Sequence, residues 1–94
     1  MTAYVITMVN ITDPEKYKKY AELATIANEV HGGKFLVRGG NPEVLEGREL
    51  FSRYVVNQFD TREQARAFYN SVEYQRAKQE RLNAADFNMV LVDG

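Results

Sequence analysis

Four runs dense in β-branched and aromatic residues alternate with helix-start signals in an order that few folds can accommodate. Residues 3–11, Ala-Tyr-Val-Ile-Thr-Met-Val-Asn-Ile, read as a strand. Thr12 with Glu15 predicts a capping box, and Pro14 falls in the first turn, where its missing N–H does no harm. The helix so opened is expected to run to Val30. Tyr17, Tyr20, Ala21, Ala24 and Ala27 form its apolar stripe, broadened by Leu23, Ile26 and Val30. Gly32-Gly33 supplies a left-handed stop. Lys34 to Arg38 reads as a second strand, and Gly39-Gly40-Asn41-Pro42 breaks it. Glu43 to Gly47 reads as a short continuation or hairpin arm. Leu50 to Phe59 is the third strand. Thr61 with Gln64 predicts a second capping box, followed by Ala65, Phe68, Tyr69 and Val72 at helical spacing. Asn70-Ser71 interrupts this helix, and Ser71 is expected to cap another over roughly 72–83. Ala84 to Val92 is the last strand.

The resulting order, βαββαβ, predicts an α+β, ferredoxin-like antiparallel sheet with its helices on one face, in a single domain over residues 1–94. A short internal echo agrees with it. Tyr4-Val5-Ile6-Thr7 before Thr12-x-x-Glu15 parallels Tyr54-Val55-Val56-Asn57 before Thr61-x-x-Gln64.

Helices can cover only one face of such a sheet, yet the strands do not alternate apolar with polar. In the first strand Val5, Val9 and Ile11 oppose Tyr4, Ile6 and Met8. In the last, Phe87, Met89 and Leu91 oppose Val90 and Val92. The second sets Phe35 and Val37 against Leu36. A bare apolar sheet face is an aggregation hazard, and for a short chain its simplest cover is a second copy. The expectation is a homodimer packed sheet to sheet.

Composition removes several function classes. Lys plus Arg is 12 against 13 Asp plus Glu, a net charge of −1 that gives no reason to expect nucleic acid or an anionic membrane as partner. The chain has no cysteine, which excludes disulfides, thiolate metal sites and cysteine nucleophiles, and its single histidine excludes a multi-histidine cage. A carboxylate trio of Glu43, Glu46 and Glu49 is unspecific, so neither metal nor cofactor is expected. No apolar run approaches the roughly 18 residues of a membrane span, and Met1-Thr2-Ala3-Tyr4 lacks the basic start of a signal peptide. The expected compartment is the cytoplasm. RNA-recognition modules share this strand order, but their third strand needs a glycine-bearing basic and aromatic motif. Phe51-Ser52-Arg53-Tyr54-Val55-Val56-Asn57-Gln58-Phe59 lacks it.

Several segments together resemble a small bacterial family. They are Thr12-Asp13-Pro14-Glu15-x-Tyr17, Gly32-Gly33-Lys34-Phe35-Leu36-Val37-Arg38-Gly39-Gly40, Glu43-Val44-Leu45-Glu46-Gly47, Ala65-x-x-Phe68-Tyr69-Asn70-Ser71-x-Glu73-Tyr74-Gln75, and the closing Val90-Leu91-Val92-Asp93-Gly94. The family is the domain-of-unknown-function 1330 family of the dimeric α/β-barrel superfamily, which also holds antibiotic-biosynthesis monooxygenase-like proteins. The resemblance covers essentially the whole chain. It implies a ferredoxin-like protomer, a dimeric barrel and a pocket between sheet and helices, and it carries no reaction. Gln58 stands where that family commonly has an acidic residue.

The candidate site residues follow from side-chain chemistry. Arg38 ends an apolar strand just before Gly39 and Gly40. A guanidinium there can clamp a carboxylate or an enolate-like oxygen, helped by free glycine N–H groups, or it can pair structurally with Glu46. His31 closes a helix, where it serves as a general acid or base or as a plain cap. Arg53 and Asn57 share a strand face with Phe51, Val55 and Phe59, marking either a pocket or pairs across a dimer interface. Tyr69 and Tyr74 flank the Asn70-Ser71 break, as pocket-mouth hydroxyls or as core. Two readings remain. In one, a small enzyme or binding protein holds an organic anion near Arg38, with His31 or a tyrosine such as Tyr69 moving a proton. In the other, a non-catalytic ligand-binding or stress-associated dimer uses the same residues only for structure.

Overall fold

The computed structural model describes residues 2–48 and 51–94. Strand β1 (Ala3–Ile11) leads into helix α1 (Pro14–Val30), which returns to β2 (Lys34–Gly39) and β3 (Arg53–Phe59). Helices α2 (Arg62–Asn70) and α3 (Val72–Glu80) then precede β4 (Ala85–Asp93). The four strands form one antiparallel sheet in the order β2-β3-β1-β4, the ferredoxin-like arrangement.

Each helix has a side-chain cap. Asp13, not Thr12, caps α1, its carboxylate accepting from the Lys16 N–H, while Thr12 gives its N–H to the Ala84 carbonyl. Thr61 caps α2 through the Gln64 N–H as expected. The Gln64 side chain, however, accepts from Asp60 and donates to the His31 carbonyl, which ties two helix ends together. Ser71 both ends α2 and caps α3, accepting from Tyr74 N–H at 3.0 Å. α3 stops at Glu80, short of the expected 83, where the chain turns through Asn83 at φ 64°. The expected arm over 43–47 is loop, and Leu50, the expected start of the third strand, lies outside the described residues.

Val5, Val9, Phe59, Tyr17, Tyr20, Phe68 and Tyr74 close the space between the sheet and its helices. Their rings meet at centroid distances of 5.0 to 6.1 Å along the path Phe59–Phe68–Tyr74–Tyr20. Burying each ring contributes about 1.5–3 kcal/mol. Ile26 and Val30, read as widening the α1 stripe, are 52% and 61% exposed. The buried stripe turns instead toward Asn28, whose amide donates to the Gly33 carbonyl and accepts from Asn57. Gly32 sits at φ 75°, and a Cβ on Gly33 would meet the Asn28 amide and the Phe59 ring, so both glycines are required at this turn.

The opposite sheet face carries Tyr4, Ile6, Met8, Tyr54, Val56, Val90 and Val92 with no element over it. Register places the second strand differently from the sequence reading. Phe35 pairs with Asn57 but Val37 with Val56, so one extra residue enters at Leu36. This β-bulge puts Phe35 and Arg38 on the helix-covered side and Val37 on the open one.

Candidate functional site

Helix α1 presents two alanines, Ala21 and Ala24, toward the middle of the sheet, and their small side chains leave a gap over Thr7, Val55 and Asn57. The gap encloses about 40 Å³. A water occupies on the order of 10–15 Å³ by this kind of measure, so the space suits a carboxylate or a few waters rather than a whole organic molecule. Arg38 and Arg53 both line it, and among the described residues no carboxylate does.

The bulge in β2 is what delivers Arg38. A strand alternates its side chains, so in an unbulged strand of the same length Arg38 would face away from Phe35. With it, the guanidinium carbon stands 4.1 Å from the Phe35 ring centroid, and Nη2 donates to the Thr25 hydroxyl at 2.9 Å. Thr25 in turn gives its proton to the Ala21 carbonyl at 2.8 Å, so its lone pair is free to receive the arginine. Arg38 remains exposed at the mouth. The expected Glu46 ion pair does not form.

Arg53 enters from the first residue of β3, opposite Val9. It is half-buried and its Nε has no hydrogen-bond partner. Its neighbour is Tyr17. Burial pushes the Tyr17 phenol above the usual tyrosine pKa, and the Arg53 charge opposes that rise without cancelling it. Tyr17 is therefore a neutral hydroxyl at physiological pH, able to donate to an anion. Burial and the neighbouring Tyr74 likewise hold Tyr20 neutral, its hydroxyl 3.0 Å from that of Tyr74.

Sequence reasoning placed Arg53 and Asn57 on one face, and they share it, under the helices rather than on the open side. It did not single out Tyr17 or Thr25 as site residues, although Tyr17 lies on the α1 stripe and Thr25 one helical turn beyond Ala21. Other candidates lie elsewhere. Gly39 pairs with Tyr54 in open-face register, and neither Gly39 nor Gly40 lines the cavity. Tyr74 is wholly buried in the core. His31 bonds Glu73 at 3.0 Å at the far end of α1, an interaction that pulls the Glu73 carboxyl below its ordinary range. Tyr69 lines a second cleft beside α2. Among the described residues, no three His, Asp or Glu side chains are placed to hold a metal ion, and no helix is long and apolar enough to cross a membrane.

The sequence profile described as "Domain of unknown function (DUF1330)" matches residues 2–94. No curated protein matches the chain. Among solved structures, a protein of unknown function from Rhodopseudomonas palustris superposes with a TM-score of 0.80 at 17% identity, covering 99% of this chain and 82% of the other. A dimeric ferredoxin-like protein of unknown function from Jannaschia sp. CCS1 gives 0.74 at 13% identity, with both chains covered completely (100% and 100%). SnoaB, a cofactor-independent oxygenase from Streptomyces nogalater, gives 0.68 at 9% identity over 99% and 92%. At these identities the likeness is one of fold.

Proposed function

Because the chain belongs to the DUF1330 family, whose description assigns no activity, we propose a function from the cavity itself: it receives the anionic group of a small organic molecule. The observation that carries this reading is the pairing of two guanidiniums, Arg38 and Arg53, around a gap that no carboxylate among the described residues lines. Two cations without a counter-charge in a partly dry site favour an anion, and the fork of each guanidinium suits the two oxygens of a carboxylate. Tyr17 supplies a neutral phenol donor and Asn57 an amide. With Arg38 at the mouth and Arg53 within, the anionic group enters and the rest of the molecule stays toward solvent. The same donors would stabilise an enolate-like oxygen, so binding and proton chemistry share one geometry. His31, bonded to Glu73, takes no part.

The working unit is a homodimer. Its support is the uncovered apolar face of Ile6, Met8, Val56 and Val90, together with the dimeric state of the Jannaschia neighbour.

The test is a thermal-shift comparison of wild type and Arg38→Met with benzoate, salicylate and pyruvate. At least one anion should stabilise wild type and not the variant, with a loss of about 1.5–3 kcal/mol in binding free energy. The ligand-free proteins should melt alike, because an exposed charge contributes about 0–1 kcal/mol to stability. Unfolding of ligand-free Arg38→Met, or equal stabilisation of both proteins, would assign Arg38 to the fold and remove the site. A non-catalytic dimer is the outcome if anions bind but none is altered on incubation.

A further inference from the structure

A larger cleft lies on the other side of Met89, bounded by α2, the end of α3 and strand β4, and encloses about 340 Å³. That volume is at the lower end of the range for small-molecule pockets, and more than twice the roughly 150 Å³ known to hold a benzene ring. Its floor is apolar, made by Val5, Phe87, Met89 and Leu91 from the helix-facing rows of β1 and β4. Its rim is cationic. Arg66 projects from α2 and makes no ion pair among the described residues. Arg81, the C-cap of α3, lies flat against the floor with its guanidinium carbon 3.7 Å from the Phe87 ring centroid, and its buried Nε has no hydrogen-bond partner. Lys78 donates to the Tyr69 hydroxyl at 3.0 Å, bringing a third positive charge to the same wall. Among the described residues, no carboxylate lines the cleft.

We propose that this cleft is a second binding site, for an amphipathic organic anion about the size of a bicyclic aromatic acid. The hydrocarbon body lies on Phe87, Met89 and Leu91. The carboxylate reaches Arg66 and the guanidinium of Arg81, with the Tyr69 hydroxyl and the Asn70 amide beside it. Arg81 is held by its ring contacts and is already oriented. Arg66 is exposed and closes over the anion from the rim. The site stands independently of the cavity at Arg38, since the two share Met89 but none of their charged residues.

The test uses 2-naphthoate and its neutral counterpart 2-naphthalenemethanol, titrated into the isotope-labelled protein and followed by amide chemical shifts. The expected result is saturable 2-naphthoate binding with shifts concentrated in residues 65–70 and 87–91. The alcohol should bind roughly tenfold more weakly, and Arg66→Gln should cost 2-naphthoate roughly tenfold. Arg81→Gln should abolish binding. If Arg81→Gln does not fold, Arg66→Gln decides, because that side chain is exposed. The proposal is overturned by an absence of saturable binding at millimolar 2-naphthoate, or by equal affinity for the alcohol. It also fails if Arg66→Gln has no effect, or if shifts gather around Thr25, Phe35 and Arg38 and none arise in residues 65–70 and 87–91.

Discussion

Replacing Asn28 with alanine tests whether the amide chain beneath α1 holds β2 and β3 in register. Asn28 is 2% exposed, and its side chain makes two hydrogen bonds. Nδ2 donates to the Gly33 carbonyl at 3.0 Å, and Oδ1 accepts from Asn57 at 2.8 Å. Each is worth about 1 kcal/mol net, and a buried donor left unpaired costs about 1–3 kcal/mol. Asn57 is 5% exposed and would be stranded, whereas the Gly33 carbonyl is near enough to the surface to find water. Together these give a loss of about 2–4 kcal/mol for Asn28→Ala. In a domain of this length each kcal/mol lowers Tm by about 4–8 °C. Urea unfolding of Asn28→Ala, Asn57→Ala and the double variant measures the cost, with equal m-values confirming that the unfolded reference is unchanged. The double variant should lose less than the sum of the singles by about 1–2 kcal/mol, because removing both partners strands neither. A loss below about 1 kcal/mol for Asn28→Ala, or additivity within about 0.5 kcal/mol, would show that the two amides do not act as a unit.

Phe35→Ala should cost about 1.5–3 kcal/mol in chemical denaturation, less than the 3–5 kcal/mol of a fully buried phenylalanine, because Phe35 is half-buried on an edge strand. A larger loss would mean that Phe35 is buried by something beyond one chain. Ile6→Glu with Val90→Glu should convert the proposed homodimer to a chain sedimenting near 10.8 kDa, and an unchanged dimeric mass would place the interface elsewhere. Burial raises the folded-state pKa of Tyr17 and Tyr20. Their contribution to stability is therefore complete below the unfolded tyrosine pKa of about 10 and is lost as pH rises from there toward the folded values. Urea midpoints should be level up to about pH 9.5 and fall above it. Tyr17→Phe should fall less steeply, and an identical decline would assign the effect to other groups.

The element order was legible because caps, glycines and β-branched runs act locally. Ser71 and Thr61 cap where they were expected to, and Gly32 stops α1. Thr12 and Asp13 were harder to separate, since both side chains can cap, and the distant Ala84 carbonyl, which accepts the N–H of both, is not visible in the local sequence. Ile26 and Val30 look like core by periodicity, but the buried stripe of α1 runs through Ala27 and Asn28, which leaves those two on its outer side. Of the site, the face shared by Arg53 and Asn57 could be read from a period of two. Contact of Arg38 with Thr25 could not, because it depends on the extra residue at Leu36, which no residue type signals. The cleft at Arg66 and Arg81 was equally hidden. Its walls come from α2, α3 and β4, and only the fold brings them together.

The extra residue at Leu36 makes the hairpin sensitive to length in a way that composition does not reveal. A strand counts in twos, so Phe35 and Arg38, three apart, have opposite parity and can share a side only while that residue is spent outside the count. Ironing out the bulge at unchanged length, or adding one residue while the bulge stays, forces a choice. If the ladder near Asn57 is kept, the guanidinium swings to the open face, among the valines where a second copy would sit. If the ladder near Val55 is kept, the arginine stays and the aromatic ring beneath it is exiled. Substitution can weaken either residue by degrees, but a single-codon insertion here exchanges inside for outside at once, whereas loss of Leu36 leaves a regular ladder with Phe35 and Arg38 still on the same side. Change in β2 should therefore proceed by replacing side chains, or by removing the one residue that the ladder does not count.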